Sequence, residues 1–293
     1  MTARVAASAA VDRWRSRRVP EFAEPVSMVA AGRHVAPAEY QRWLAPLGQN
    51  NGRHRKVWEW CFILQALEAR NLLRSGARAI GFGVGTEPLV AALAARGVAV
   101  LATDQAPEQA GGWGTTGQHA TAVDSLRRPD LCDDRLFSDL VSFRPIDMRS
   151  LPDDLGGFDI VWSSCCFEHL GSPELGFDFV MASMNAARPG GVVVHTTELD
   201  CGSGWNRVLE TGSVAGGDYA CFYRRSDLRR LVRRLRAAGH TVHCNYKVGR
   251  RHPLERQVDE KPYTHDPHLR LRVEDRVVTS FGLTVVKGSA TPT

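Results

Sequence analysis

The 293-residue sequence has no apolar run near the roughly 18 residues that a membrane-spanning helix needs. Residues 1–20 lack the continuous apolar stretch of a secretory signal peptide. Seven cysteines are present without the regular spacing of a disulfide framework. The chain also has no internal repeat and no low-complexity tract. We therefore expect a globular, cytoplasmic protein with reduced thiols and no membrane partner.

Lysine is scarce: arginine makes up most of the 37 basic residues and so supplies most of the positive charge behind the net charge of +5. An arginine excess leaves an anionic partner open, since guanidinium groups match phosphate and carboxylate geometry, although genomic composition gives the same excess. The arginine pairs at 224–225, 229–230 and 233–234 recur at helical spacing, which is typical of a solvated helix face. No nucleic-acid-binding motif accompanies them, so we expect no nucleic-acid partner.

Short apolar runs alternate with helix-like patterns along most of the chain. Residues 1–75 predict an N-terminal extension with cap helices, and residues 76–293 predict the main domain. Strands are predicted at 77–81, 98–103, 142–146, 158–163, 191–197, 241–247 and 277–286. The predicted fold is α/β: a Rossmann-like, doubly wound, seven-stranded sheet, mostly parallel, in which the last two strands form an antiparallel C-terminal edge pair. Nicotinamide-binding domains do not usually end in that way.

A glycine-rich turn joins the first of these strands to a helix. Residues 79–88 read AIGFGVGTEP. Such a turn lets the backbone approach a ligand and aims free N–H groups at it. Asp104 ends the next strand, where a carboxylate can accept the hydroxyls of a ribose. Thr86 stands where a dinucleotide-binding turn has its third glycine, which favours an adenosyl cofactor without a pyrophosphate.

Over residues 77–287 the sequence resembles the class I methyltransferases that use S-adenosylmethionine (SAM). The matching segments are Gly81–Gly85 (first motif), Asp104 (ribose acid), 143–148 with Leu151-Pro152 (adenine motif), 158–164 (fourth strand) and 187–191 (turn before strand five). The resemblance implies SAM as cofactor. It implies cofactor contacts from Gly81, Gly83, Gly85, Asp104, Gln105, Asp147, Met148 and Ser163.

The first motif departs from that family in one respect. Its usual opening acid, near the methionine amino group, is Gly81 here, and Glu87 stands where a further glycine is common. Glu87 is therefore a candidate for the amino-group contact, or else an acid favoured by the helix dipole. More narrowly, residues 112–119, 168–171 and 223–225 resemble a poorly described bacterial subfamily of glycoconjugate or natural-product pathways.

Ligand sites in open α/β sheets lie beyond the carboxyl ends of the strands. Glu168 and His169 follow the fourth predicted strand, and Glu198 follows the fifth. We expect Glu168 or His169 to act as general base and Glu198 to orient the acceptor. For His169, capping of the following loop is an equal alternative. Adjacent Cys165 and Cys166 are predicted to be packing residues.

Further residues are candidates for contact with the acceptor. They are Arg53, His54, Trp113, Tyr223 and His265. Trp113 could wall the adenine or acceptor pocket, or could simply pack, and His265 could belong to a lid or to an ordinary surface loop. The histidines at 252, 265 and 268 lack companion ligands at convincing spacing, so we expect no metal.

These features predict methyl transfer to a small molecule, a sugar or secondary metabolite methylated on oxygen or nitrogen, with an anionic acceptor left open. The alternatives are a C-methyltransferase acting on an isoprenyl diphosphate and a non-catalytic SAM-binding or scaffold protein. A Rossmann oxidoreductase is the remaining alternative. The sequence leaves a homo-oligomer open.

Overall fold

The computed structural model describes residues 18–24, 26–109, 117–202, 212–213, 219–264 and 267–289. The strands in this part of the chain are β1 (Ser27–Val29), β2 (Arg78–Phe82), β3 (Ala99–Asp104), β4 (Val141–Pro145), β5 (Phe158–Ser164), β6 (Ala187–Asp200), β7 (Gly212–Ser213), β8 (Tyr219–Ala220), β9 (Cys244–Asn245), β10 (Arg270–Val273) and β11 (Arg276–Val286). The α-helices are α1 (Ala38–Gln41), α2 (Arg55–Glu68), α3 (Leu89–Ala94), α4 (Asp134–Leu140), α5 (Pro173–Ala186), α6 (Arg225–Ala237) and α7 (Pro253–Arg256). None of the helices in these ranges is long and apolar enough to cross a membrane.

Nine of the strands form one mixed sheet in the order β4-β3-β2-β5-β6-β11-β1-β9, with β10 paired to β11. Strands β2 to β6 run parallel to one another, and β11 runs antiparallel to β6 from Val278 to Val286. Continuously apolar strands are expected in a sheet covered on both faces. Two large apolar clusters account for this cover: one contains residues of α2 and α3, and the other contains residues of α5 and α6.

The α/β class and the mostly parallel sheet with antiparallel pairs towards one edge are confirmed, but the sheet has nine strands instead of seven and its antiparallel pairs are not between the two strands predicted. Residues 27–29, which belong to the predicted N-terminal extension and to none of the predicted strands, form β1 and lie between β11 and β9. The predicted strand at 241–247 is reduced to Cys244–Asn245, which pairs in parallel with β1. Only Thr241 keeps an antiparallel bridge to Val286. A three-residue strand has too little periodicity to be recognised, because its place depends on long-range pairing.

The last strand is antiparallel to three partners rather than to the predicted one. It pairs with β6, with β1 and, through a hairpin that turns at Glu274, with β10. The predicted reversal at the C-terminus is therefore present, but its partners were assigned incorrectly.

Helix α2 lies across β6 and β11. Its apolar face includes Trp58, Phe62 and Leu64, all 2% exposed or less. Phe62 packs directly on Gly282 of β11, where a Cβ atom would lie 2.2 Å from the ring. This close approach fixes the first turn of α2 over the carboxyl ends of β5 and β6, where the charged groups described below are found.

Candidate active site

The glycine turn after β2 has a conformation that few other residues adopt. Gly83 and Gly85 have φ angles of +58° and +53°. A Cβ atom would lie 2.9 Å from the Cys166 sulfur at Gly83, and 2.5 Å from the Gln118 carbonyl oxygen at Gly85. Both positions therefore require glycine for conformation and for space.

The amides of this turn are not free, in contrast to the sequence prediction. Val84 N–H donates to Thr103 O at 3.0 Å, and Thr86 N–H donates to Gln118 O at 3.0 Å. Gly85 N–H donates to an Asp104 carboxylate oxygen, also at 3.0 Å. Thr103, Asp104 and Gln118 thus take up donors that a pyrophosphate would need. This arrangement disfavours a dinucleotide at the turn.

Asp104 ends β3 as predicted and is held by the backbone around it. Its carboxylate accepts from Gly85 N at 3.0 Å, from Ala120 N at 3.2 Å and from Gln105 N at 2.9 Å. A carboxylate has about four acceptor positions, so capacity remains for a hydroxyl donor. Gln105 is half-buried, and its carbonyl oxygen accepts from His119 Nε2 at 2.9 Å.

The residues predicted to hold adenine reach the turn only in part. Met148 is buried, and its sulfur is 3.3 Å from the position that a Cβ atom would take at Gly83. Asp147 instead forms a two-oxygen contact with Arg149, at 2.8 to 3.1 Å, and these hydrogen bonds lower the pKa of its carboxyl group. The structure thus brings Met148 to the glycine turn, with Asp147 paired to Arg149 beside it.

Ser163 does not point to this site, although its neighbour does. Ser163 Oγ is hydrogen-bonded to His195 Nδ1 at 2.8 Å, and Ser183 Oγ meets His195 Nε2 at 3.0 Å, all three side chains being fully buried. Ser164 Oγ lies 3.3 Å from Glu87 Oε1 and 3.5 Å from Glu59 Oε2. Successive side chains of a strand face opposite sides, so an offset of one residue moves the hydroxyl to the other face.

A buried cluster of charges lies where the first turn of α2 meets the sheet. Arg55 contacts Glu198 at 2.7 Å and Glu59 at 3.1 Å, while Lys56 contacts Glu87 at 3.0 Å and Glu59 at 3.4 Å. Thr196 also donates to Glu59 at 3.4 Å, and Ser280 donates to it as well. Glu59 is therefore a fully buried carboxylate at the centre of the cluster.

The cluster changes the ionisation of its members in opposite directions. Burial acts to raise the pKa of Glu59, but Lys56 and Arg55 outweigh it and leave that pKa below its ordinary value. For Glu87 burial wins against Lys56, and its pKa is raised. Burial acts to lower the pKa of Lys56, yet Glu87 and Glu59 hold it well above its usual range. Both cations thus remain charged, each against two carboxylates.

Glu168 lies in a short 3-10 turn, Phe167–His169, after β5, and its side chain is fully buried. Thr197 Oγ1 donates to Glu168 Oε2 at 3.0 Å. Glu168 Oε1 has no hydrogen-bond partner among the residues that the structure describes. Burial first, and then the negative charge of Glu198, raise the pKa of Glu168 to about 8. A buried carboxyl oxygen without a hydrogen-bond partner lowers the stability of the fold, and such an atom in a native protein calls for an explanation, for which a functional role is one candidate.

The remaining predicted residues lie outside this cluster. His169 is half-buried at the end of the same turn. Arg53 is exposed, and His54 caps α2 by accepting from Lys56 N at 3.1 Å. Tyr223 is fully buried, stacked on Phe177, and donates to Phe167 O at 3.4 Å, so it supports the Glu168 turn from behind. Trp113 and His265 lie outside the described residues.

Sequence reasoning missed Arg55, Lys56 and Glu59. The prediction selected Arg53 and His54, whereas the structure brings the next two residues of the sequence to the site. The available signal was helical: positions 55, 56 and 59 are neighbours on one face at the start of a helix. A glutamate within the otherwise apolar run of α2 was the stronger indication.

The paired cysteines are packing and backbone features of the site edge. Cys166 Sγ donates to Gly83 O at 3.1 Å. Cys165 has a φ of +49°, and burial raises its pKa well above the ordinary thiol value. A protonated thiol is a poor nucleophile. Among the described residues, no group of three His, Cys, Asp or Glu side chains is arranged to hold a metal ion.

No family model matches the chain, and no curated protein is similar to it in sequence. Solved structures do match. The 1,6-didemethyltoxoflavin-N1-methyltransferase of Burkholderia thailandensis, solved with 1,6-didemethyltoxoflavin and S-adenosylhomocysteine, matches with a TM-score of 0.47 and 17% identity over 90% of this chain and 95% of that one. A SAM-dependent methyltransferase from Mesorhizobium loti matches with a TM-score of 0.46 and 15% identity over 76% of this chain and 96% of that one.

A protein provisionally named a zinc-dependent alcohol dehydrogenase, from Rhodobacter sphaeroides, also matches. Its TM-score is 0.49, with 12% identity over 87% of this chain and 99% of that one. Identities and TM-scores this low identify neither the family nor the activity of this chain. Its function must be inferred from its own residues.

Proposed function

We propose that this chain binds SAM at the Gly83–Gly85 turn and transfers its methyl group to oxygen or nitrogen of a small molecule, with Glu168 as the general base. One observation carries the proposal. Glu168 is a fully buried acid whose Oε1 has no partner among the described residues, and it follows the strand that borders the glycine turn. A raised carboxyl pKa in such a position is typical of a proton-transferring group.

The residues at the turn fit SAM better than a dinucleotide. The amides of Val84, Gly85 and Thr86 are engaged internally, and the carboxylate of Glu87 lies just before helix α3. A pyrophosphate would lose its donors and meet a negative charge there, whereas SAM has no phosphate. Asp104 retains capacity for a ribose hydroxyl, and Gly83 and Gly85 leave space beside Met148.

When bound, SAM supplies a methyl group on a positively charged sulfur, and the chain's residues position the acceptor and take its proton. Glu168 Oε1 is the atom that would receive that proton. Thr197 fixes the other oxygen at 3.0 Å, and Glu198, held by Arg55 at 2.7 Å, makes Glu168 a stronger base. Loss of the proton before or during attack leaves the acceptor's electron pair free for displacement at the methyl carbon.

The charge distribution favours a neutral or cationic acceptor. Arg55, the guanidinium closest to the base, is already engaged by Glu59 and Glu198. An anionic acceptor beside Glu168 would meet the carboxylates of Glu198 and Glu168, and Arg55 would have to leave one of its two carboxylates to bind it. An isoprenyl diphosphate is disfavoured for the same reason. A hydroxyl or amine of a sugar or secondary metabolite is our preferred acceptor.

The proposal is tested by incubating the chain with methyl-labelled SAM and a cell extract, whose low-molecular-mass, protein and RNA fractions are then analysed separately by mass spectrometry. We expect a labelled small molecule with the natural chain and none with Glu168→Gln, while both chains bind SAM. Label found only in protein or RNA would contradict the small-molecule acceptor. SAM binding with no transfer in any fraction would favour the scaffold alternative, and the absence of SAM binding would reject the cofactor.

A further inference from the structure

The amino-acid end of SAM carries both an ammonium and a carboxylate. In the resembled family an acidic residue near the ammonium opens the first motif, but this chain has Gly81 at that position. A Cβ atom at Gly81 would lie 2.3 Å from the Trp162 ring and 2.6 Å from Val84 Cγ1. No side chain, and therefore no carboxylate, fits at that position. Another group must bind the ammonium if SAM is the cofactor.

Charged groups of both signs border the glycine turn from the side of α2. Lys56 Nζ lies 3.0 Å from Glu87 Oε1, and Glu87 follows Gly85 by two residues. Ser164 Oγ reaches the same Glu87 oxygen at 3.3 Å. Ser164 ends β5, and two residues later Cys166 donates to Gly83 O at 3.1 Å. The Lys56–Glu87 ion pair is thus adjacent to the turn.

We propose that Lys56 binds the carboxylate of SAM and that Glu87 binds its ammonium, so that helix α2 is part of the cofactor site. This inference rests on the proposed function. The ion pair would open and each partner would take the opposite group of the ligand. Neither is then left alone, because Lys56 keeps Glu59 at 3.4 Å and Glu87 keeps Ser164 at 3.3 Å.

The charge balance of the cluster supports this assignment. Three carboxylates, Glu59, Glu87 and Glu198, are joined by contacts to two cations, Arg55 and Lys56. The joined groups therefore carry one excess negative charge. SAM has two positive groups and one negative group, so its net charge is the complement. Interactions between buried opposite charges are screened less than those on the surface.

Two ligands separate this inference from the proposed function. S-adenosylhomocysteine has the adenosyl group and the amino-acid end, whereas 5′-methylthioadenosine has only the adenosyl group. In calorimetric titrations of the full chain we expect S-adenosylhomocysteine to bind more tightly. Lys56→Met should weaken the affinity for S-adenosylhomocysteine by about 10- to 100-fold, the range for a lost charge-assisted hydrogen bond. The affinity for 5′-methylthioadenosine should stay within about 2-fold, because that ligand has neither the carboxylate nor the ammonium.

The matched control is Lys247→Met, the same change at an exposed lysine outside the site, which should alter neither affinity. Should Lys56→Met fail to fold because Glu59 and Glu87 lose their cation, the double variant Lys56→Met with Glu87→Gln removes both members of the pair and restores the balance. It too should lose affinity for S-adenosylhomocysteine alone.

The outcomes are distinct. Equal losses for both ligands, no loss for either, or equal affinity of the natural chain for the two ligands would each overturn the role of Lys56 and Glu87 while leaving SAM as cofactor. Failure of the natural chain to bind either ligand would instead reject the proposed function itself.

Discussion

Two buried polar networks lie in the same sheet, and they differ in whether their members are satisfied. His195 is fully buried with both ring nitrogens hydrogen-bonded, to Ser163 at 2.8 Å and to Ser183 at 3.0 Å. Burial lowers its pKa to about 3, so it stays neutral. Glu168 is equally buried, but its Oε1 has no partner among the described residues and its pKa is raised to about 8. Closed networks specify a fold, whereas an incomplete one is available for chemistry.

The largest expected effect follows from Glu168→Gln. This change keeps the shape of the side chain and removes the proton acceptor, so turnover should fall by about 10²- to 10⁴-fold, the usual contribution of a general base. Affinity for SAM, measured by calorimetry, should stay within about 3-fold, because no charged contact to the cofactor is removed. Unchanged turnover with normal SAM binding would exclude Glu168 from the reaction.

A change in the satisfied network around His195 should lower stability and leave turnover nearly unchanged. His195→Ala leaves the hydroxyls of Ser163 and Ser183 buried without their partner and opens a cavity, so the free energy of unfolding should fall by about 3 kcal/mol. Guanidinium unfolding followed by circular dichroism measures this loss. Turnover per folded molecule should remain within about 2-fold. A specific loss of turnover with normal stability would show that His195 has a catalytic role.

The pH dependence of stability provides a third contrast. Glu168 has a folded-state pKa of about 8 against an ordinary value of 4.5, so the folded chain keeps a proton that the unfolded chain releases. Its contribution is therefore complete below pH 4.5 and is lost as pH rises towards 8, by at most about 1.4 kcal/mol per pH unit. Urea unfolding measured at several pH values should therefore show that the free energy of unfolding of Glu168→Gln depends less steeply on pH than that of the natural chain. Identical slopes in the two chains would contradict the raised pKa.

The smallest effect is expected for Tyr223→Phe. The hydroxyl of Tyr223 donates to Phe167 O at 3.4 Å, a long hydrogen bond that supports the Glu168 turn. Its removal should lower the free energy of unfolding by about 0.5 to 1 kcal/mol in denaturant titrations. Turnover should fall by less than about 5-fold, since the stacked ring remains in place. A loss of turnover as large as that of Glu168→Gln would mean that Tyr223 contacts the acceptor directly.

The parts of the site that depend on local sequence could be predicted. Gly83, Gly85 and Asp104 belong to one strand–turn–helix–strand unit, whose geometry follows from the order of the residues. Glu168 and Glu198 were selected because each comes at or near the end of an apolar strand, Glu168 after β5 and Glu198 close to the end of β6. In each case the chemistry lies within a few residues of the feature that indicates it.

The rest depends on contacts between segments far apart in the sequence. Glu59 acquires its role only when α2 packs on β6 and β11, and β1 exists only as a strip between β11 and β9. The choice between Ser163 and Ser164 depends on which face of β5 is the site, which alternation within a fully buried strand does not reveal. The hydrogen bonds from the amides of the glycine turn to Asp104 and Gln118 likewise could not be predicted, because they form only when the two segments come together in the fold.

The central claim is that the glycine turn and Asp104 bind the adenosyl group of SAM and not a dinucleotide. Calorimetric titration of the full chain with SAM and, separately, with NAD tests it directly. We predict one SAM bound per chain, no measurable heat with NAD, and a weaker SAM isotherm for Asp104→Ala. Heat with NAD and none with SAM would contradict the account.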